Sequence, residues 1–350
     1  GGRYGAELMG TLAAFMVFWA SVSTGLGLAT VGVALGNGKG LTSKIRHQPL
    51  RWLALTWLVV ALISCVLGLL QYFGMAQFFS PWINQPLHLG GAFANLRQRN
   101  LFATLTSIGF VALVGLLLQT KWNEQDKSEI AISKWAYGAV VLLALGNASS
   151  GSRTGLLEWI LIFACTAGWN WPIRRRVVLF ALQAVLVYLV ASVVLPWLLG
   201  MGSEGLFDRF KESEPCVSRR VLWSNVLTLI AQKPWLGWGW GGMDYAHFIT
   251  AFPDGKFCQI VDNAHNLPLH LAVELGIPAA LAICGVAGWL VWRAKPWRET
   301  DPLQQMIWGV LAVIMLHSLV EFPLWYGVFQ MTFGLGIGVL WANSEKGLAL

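Results

Sequence analysis

The sequence predicts an all-α, polytopic transmembrane helix bundle of about nine spans, with one large loop on the side away from the cytoplasm. Three observations predict it. Of the 350 residues, 56% are hydrophobic and only 12% charged, where a soluble domain carries about one quarter charged residues. Stretches such as Leu53–Leu70 and Val177–Leu195 contain no acid or base, and about 18 residues at about 1.5 Å each approach the roughly 30 Å of a bilayer core. There are 20 Trp, a residue that favours the membrane–water boundary.

The spans are read at about 11–36, 51–73, 100–119, 135–148, 154–172, 177–199, 266–292, 303–320 and 325–342. Helices are the expected spanning element because every backbone polar group must find its partner inside the span. The whole of 1–350 reads as a single membrane domain. It begins Gly1-Gly2-Arg3 without Met and reads as a fragment of a longer chain. No secretory signal with a cleavage site is visible.

Orientation follows from the connections. Basic residues concentrate after spans 1, 3, 5, 7 and 9: Lys39, Lys44, Arg46 and Arg51; Lys121, Lys127 and Lys134; Arg174–Arg176; Arg293, Lys295 and Arg298; and Lys346. Short loops rich in Lys and Arg stay in the cytoplasm. The segments 74–99, 148–153 and 200–265, with the short turn at 321–325, then lie on the opposite side. The net charge of +7 is explained by these dispersed loop residues, so a nucleic-acid partner is not expected. The 200–265 segment is too long for a plain connection. Its apolar stretch Val221–Ile230 and its Trp235, Trp238 and Trp240 predict a helix and loops lying on the outer membrane face. It also holds Cys216 and Cys258, which an oxidising compartment would allow to pair or which stand too far apart to bridge. Cys65, Cys165 and Cys284 fall in spans and read as small hydrophobes.

Five outer constellations carry polar chemistry. In Asp262-Asn263-Ala264-His265-Asn266, Asn263 or Asn266 suits a helix cap and Pro268 a first turn. His265 then stands at the boundary, either as a proton acceptor or as an interfacial hydrogen-bonding group; His270 reads as structural. Ser149–Gly155 offers backbone N–H groups and the guanidinium fork of Arg153 to an anion, or is a tight turn whose Arg reaches the headgroups. Arg219, Arg220 and Trp223 precede a Gly/Trp run, Trp235–Gly242; Arg219 and Trp223 share a helical face, and the run suits close approach to a sugar or lipid, or anchors the loop. Gly90–Asn100 places Asn95, Arg97, Arg99 and Asn100 outside, against the charge trend. Finally, His317 and Glu321 lie four apart ahead of Tyr326, and a buried ionisable pair near a membrane boundary is a site hypothesis. No HExxH or CxxC spacing exists, so no metal is expected. No Ser/His/Asp set or Walker loop can be assembled, and the weak GxGxxG-like look of the Trp/Gly run lacks a preceding strand. Several Arg, one His and a carboxylate on one side suit an anionic, membrane-anchored donor.

These residues resemble a known family. His265-Asn266 followed by Gly276 is similar to the motif of O-antigen ligases, O-antigen polymerases and bacterial protein O-oligosaccharyltransferases. Arg153 after Ser152, and Arg219 four before Trp223 ahead of Pro234-Trp235-Leu236-Gly237-Trp238-Gly239, resemble its two outer arginine elements. Gly91–Thr104 and His317–Tyr326 look most like the pilin-glycosylating branch. The resemblance covers about residues 60–342; Ala279 departs from the extended motif, where Gly, Thr or Tyr is more usual, and family members carry more spans before this region. It implies a multi-pass protein of the bacterial inner membrane whose periplasmic face moves a glycan from undecaprenyl diphosphate to a protein hydroxyl, without cofactor or metal and with inversion. Ligation to lipid A core or polymerisation of O-antigen repeats share that chemistry. The resemblance assigns the diphosphate to Arg153 and Arg219 and the acceptor hydroxyl to His265. Arg220, Asn95, Arg97, Arg99, Asn100, Trp223, Asn266, His317, Glu321 and Tyr326 would line the donor or acceptor groove. A lipid-glycan transporter is the alternative of another class; it would need ionisable residues along the spans, where only Glu158 and Glu274 qualify.

Overall fold

The computed structural model describes residues 16–27, 48–119, 133–171, 173–200, 216, 218–253, 255–259 and 261–344. Lys39, Lys44, Arg46, Lys121, Lys127 and Lys346, used above to orient the chain, lie outside them. Among the described residues all regular structure is helical. The helices are α1 (Met16–Gly27), α2 (Gln48–Tyr72), α3 (Arg99–Leu118), α4 (Lys134–Ser149), α5 (Arg153–Asn170) and α6 (Arg175–Leu198). There follow α7 (Arg219–Gln232), α8 (Met243–Ile249), α9 (Leu267–Leu275), α10 (Ile277–Ala294), α11 (Pro302–Ser318) and α12 (Gly327–Ser344). Among the described residues, four helical stretches are long and apolar enough to cross a bilayer: Gln48–Tyr72, Arg99–Leu118, Arg175–Leu198 and Ile277–Arg298. With the shorter apolar helices Met16–Gly27, Pro302–Ser318 and Gly327–Ala342, they make this a membrane protein.

The chain divides into two compact units. The larger takes Phe18–Arg209, Trp297–Ile314 and Met331–Leu350; the smaller takes Phe210–Pro296 and Met315–Gln330, with the N-terminal residues to Val17. In the larger unit α3 is the buried hub, packed against α2, α4 and α5, and α6 covers α4 and α5. The contacts use small residues. Gly109 sits on Ala61, Gly146 on Cys65, and Gly155 on Asn147 and Ala103, each too close to admit a Cβ. Lipid tails are as apolar as the side chains they would replace, so close van der Waals approach is what holds such helices together.

Two contacts fix the direction of α3 and α5. At their starts Ser152 Oγ donates to Asn100 Oδ1 at 2.7 Å. Beyond their other ends Arg174 Nη1 donates to the carbonyl of Leu118 at 3.0 Å. The two helices therefore run parallel, with the Ser/Arg turn at one end of the unit and the Arg174–Arg176 triplet at the other.

The smaller unit has its own apolar core around Leu222, Val226, Leu229, Met243, Val261 and Val273. The 200–265 stretch supplies two helices, α7 and α8. The structure departs from the single 266–292 span read in the sequence, which it breaks into α9 and α10 at Gly276. The physical cause is a turn, Pro234–Gly239, that packs against the chain there. Trp238 N donates to Val273 O at 2.9 Å, Gly239 N to Glu274 O at 2.9 Å, and Ile277 N to Pro234 O at 2.8 Å. Gly276 has φ +86°, and a Cβ on it would collide with the Trp235 backbone; Gly237, at φ +65°, meets the Glu274 backbone in the same way.

Candidate functional site

The smaller unit gathers Arg219, His265 and Glu321 around one carboxylate. Ser218 caps α7, accepting from Val221 N through Oγ at 3.4 Å, so Arg219 is the first residue of the helix. A helix start already favours anions through its unpaired N–H groups and its dipole, and the exposed Arg220 adds a second cation beside it. His265 sits just ahead of α9 in a left-handed conformation, φ +49°. Three bonds hold it there. Asn263 Oδ1 accepts from His265 N at 2.9 Å, Trp223 Nε1 donates to Ala264 O at 3.1 Å, and Asn266 Oδ1 caps α9 by accepting from Leu269 N at 3.0 Å. The Asn266 amide also donates to Leu319 O at 2.8 Å, tying the histidine loop to the turn that carries Glu321. A non-glycine residue held at positive φ by surrounding contacts is characteristic of functional sites.

Glu321 divides its two oxygens between the two cations. Oε1 accepts from Arg219 Nη2, and Oε2 lies 2.6 Å from His265 Nδ1. The carboxylate is deep, with its side chain 6% exposed, whereas Arg219 and His265 are 33% and 31% exposed. The cations thus reach outward from a buried anion. Burial pushes the Glu321 carboxyl up, but the hydrogen bond and charge of His265, with the charges of Arg219 and His317, outweigh it and hold the group below its ordinary value. An ionised carboxylate only accepts, so a neutral imidazole in this setting carries its proton on Nδ1 and offers Nε2 as the base. The His265 ring stands edge-on to Phe322, centroids 4.8 Å apart, and Phe322 stacks on Tyr326 at 5.9 Å. The fixed tautomer and the packed ring give a positioned proton acceptor next to an outward guanidinium.

Of the other residues singled out in the sequence, His317 is fully buried. Its carbonyl accepts from Glu321 N at 2.8 Å, while both Glu321 carboxylate oxygens serve Arg219 and His265. His270, read as structural, is buried against Glu274, 3.5 Å away, with Trp325 edge-on at 4.9 Å. Cys216 and Cys258 are joined as a disulfide, Cα atoms 5.5 Å apart. It fastens the approach to Arg219 to the approach to His265.

The remaining candidates belong to the larger unit. Arg153 is exposed at the first position of α5, behind its cap Ser152. Arg97 is exposed on the 90–98 loop and Arg99 at the first position of α3. This loop is rigidly built. The buried Gln71 donates to Asn84 O and Ala94 O, both at 2.7 Å, and accepts from Phe93 N at 3.0 Å. Asn95, read as a binding residue, spends its amide on the backbone of Trp82 at 3.1 Å and of Asn84 at 3.2 Å. Asn100 joins this loop to the Ser152 turn. The two carboxylates that a transport path would need are engaged locally: Glu158 accepts from Thr104 Oγ1 at 2.6 Å, and Glu274 faces His270.

Sequence reasoning missed the bridging role of Glu321, the Asn263 brace and the Phe322 contact. Asn263 did carry a signal, because an Asn side chain readily bonds the backbone N–H two residues on. Phe322 lay inside the His317–Tyr326 stretch singled out in the sequence, but nothing there marked its contact with His265.

Comparison with known proteins points to the same kind of enzyme as the sequence motifs. The family described as O-antigen ligase matches residues 138–284, protein glycosylation ligase matches 92–118, and the C-terminal region of virulence-factor membrane-bound polymerases matches 305–349. These stretches make the chain similar to O-antigen ligases and protein glycosylation ligases. The first of these stretches contains Arg153, Arg219 and His265, the second Asn95–Asn100, and the third His317, Glu321 and Tyr326. Two relatives come from Acinetobacter baylyi. The general O-oligosaccharyltransferase is 22% identical over 307 residues, covering 81% of this chain and 49% of that protein. The ComP-specific O-oligosaccharyltransferase is 24% identical over 302 residues, covering 84% of this chain and 52% of that protein. The chain therefore spans about half the length of the curated relatives it matches.

Proposed function

We propose that this chain is the membrane core of a glycosyltransferase that moves an oligosaccharide from undecaprenyl diphosphate to a Ser or Thr hydroxyl of a periplasmic protein such as a pilin. The observation that carries the reading is the Arg219–Glu321–His265 constellation: an outward guanidinium beside an imidazole whose Nδ1 is fixed by a buried carboxylate. The protein acceptor is supported by the relatives, both named as O-oligosaccharyltransferases. The O-antigen ligase match supports the same donor chemistry with lipid A core as acceptor, and the acceptor supplied in an assay separates the two.

In the reaction, Nε2 of His265 takes the proton of the acceptor hydroxyl as its oxygen bonds to the anomeric carbon. The bond from that carbon to the diphosphate breaks, and its electron pair leaves on the diphosphate oxygen. Arg219 receives the developing charge, with Arg220 beside it; Arg153 is assigned the same task by its place in the sequence pattern. The attack is direct and inverts the anomeric configuration. The proton passes from His265 to water, and no metal or cofactor is required. Trp223, Asn266, His317 and Tyr326 support the site in the smaller unit; Arg97, Arg99 and Asn100 are assigned to the groove by the sequence pattern alone. We place the chain in the inner membrane as about nine spans, with 200–265 a large periplasmic loop. The Cys216–Cys258 bridge supports that side, since disulfides persist in oxidising compartments.

The test is a transfer assay with the full-length protein, lipid-linked glycan and a hydroxyl-bearing acceptor peptide. His265→Ala is expected to lower the rate by about 10²–10⁴, the usual worth of a general base. Arg219→Ala is expected to lower it by about 10²–10³, as for loss of a charge-stabilising donor. Wild-type rates in both variants overturn the reading.

A further inference from the structure

The carboxylate of Glu321 is shared in an unusual way. A guanidinium presents a planar fork that matches two oxygens of one anion, yet here Arg219 holds only Oε1 of Glu321 while Oε2 is held by His265. Neither cation has the whole carboxylate. The anion is buried and the two cations are about one third exposed, so an incoming anion meets Arg219 from outside without displacing Glu321 from the protein. A diphosphate carries more charge than a carboxylate and fits the fork with two oxygens, so it competes for the guanidinium on favourable terms.

We propose that Glu321 is an exchangeable partner: a lipid diphosphate takes Arg219 from it, the whole carboxylate then serves Nδ1 of His265, and donor binding thereby strengthens the base that activates the acceptor. The inference rests on the reading of Arg219 as the diphosphate holder. Before the donor arrives, the guanidinium offsets the negative charge felt by the imidazole. Afterwards, that charge is offset by the diphosphate and the carboxylate acts on the imidazole alone. An opposite charge within about 4–6 Å favours the protonated ring, and removing a competing cation favours it further. Among the described residues, the charged and titratable groups around this pair are Arg219 and Arg220 on α7, Asp262 and His265 on the loop before α9, His270 on α9, His317 on α11, and Tyr326 ahead of α12. Of these, only Arg219 both contacts Glu321 and reaches outward at the start of a helix. The consequence is order: the base gains strength when the glycan carrier is in place, so donor binds before acceptor is activated.

The experiment follows the His265 ring by NMR in the purified chain in detergent, titrating pH with and without farnesyl diphosphate, a lipid diphosphate bearing no glycan. At saturation the His265 midpoint is expected to rise by about one pH unit, tenfold in protonation constant. In Glu321→Gln the same ligand acts only through its own charge, and less than half of that rise is expected. An equal rise in both proteins, or none in the wild type, overturns the exchange. Should Glu321→Gln fail to fold, Glu321→Asp replaces it; its shorter arm cannot reach both cations, so a smaller rise is expected and a wild-type rise overturns the proposal. Binding of farnesyl diphosphate, followed by its ³¹P signal, separates the two readings. If Arg219→Ala binds as the wild type does, the diphosphate role of Arg219 fails and the exchange fails with it. If binding needs Arg219 but the His265 midpoint stays put, the exchange alone fails.

Discussion

Glu321 shows how much a site depends on one side chain that sequence reading put in a lesser role. His265 and Arg219 could be picked out because each sits in a local pattern, a capped helix start and an Arg–Trp helical face. Glu321 was picked out as well, as a groove residue four from His317, but its meeting with these two was not legible, since it lies 102 residues from Arg219 and 56 from His265. Its pairing makes a pH prediction. The folded-state pKa of Glu321 is depressed from the ordinary 4.5, so the unfolded chain binds the proton more readily than the folded one. The stabilisation is complete above the ordinary value and is lost as pH falls through the lower folded value. Tryptophan fluorescence during denaturation, repeated from neutral pH down to about pH 3, is expected to show stability falling below pH 4.5 in the wild type. Glu321→Gln, lacking the titrating group, should be less stable at neutral pH and lose less on acidification. Parallel curves for the two proteins would show that the carboxylate is not the group responsible.

Elements were legible where apolar length alone decides them, as in α2, α3 and α6, which span residues 48–72, 99–118 and 175–198 and match the expected 51–73, 100–119 and 177–199. The break between α9 and α10 was not read, although Gly276 followed by Pro278 is a helix stop and a helix start in succession. Apolar composition runs straight through it, and hydropathy does not see backbone angles. The break matters because it receives the Pro234–Gly239 turn, and through α9 it sets the register of Asn266 and His265. Gly276→Ala adds a Cβ at φ +86° against the Trp235 backbone. Strain of that kind costs on the order of 1–3 kcal/mol, so the melting temperature should fall and transfer should fall with it. Gly285→Ala, nine residues along α10 where a Cβ meets nothing, is expected to be neutral or to stabilise by up to about 1 kcal/mol. If the two substitutions had equal effects, the packed turn would not be what the glycine is for.

At the scale of the whole chain, sidedness is the property on which the proposed chemistry depends. The sequence supplied it as a density of Lys and Arg, and the larger unit adds a physical check. Asn100 meets Ser152 at one end and Leu118 meets Arg174 at the other, so the Ser/Arg turn and the Arg174–Arg176 triplet cannot face the same aqueous phase if α3 and α5 cross a bilayer. On the proposed orientation the triplet lies inside, as short basic loops are retained in the cytoplasm, and the 149–153 turn outside. In the smaller unit the Cys216–Cys258 disulfide suits an oxidising phase for the segment that carries Arg219 and approaches His265. Electrostatics in the larger unit and redox chemistry in the smaller one support the proposed sidedness, each within its own unit. Single cysteines introduced at Arg175 and at Trp240, with Cys65, Cys165 and Cys284 replaced and the bridge kept, test this in intact cells with a membrane-impermeant thiol reagent. Labelling is expected at position 240 before permeabilisation and at position 175 only after it. The reverse pattern would place the imidazole and guanidinium in the cytoplasm, away from any acceptor exported across the membrane, and would end the proposed transfer whatever the geometry around Glu321.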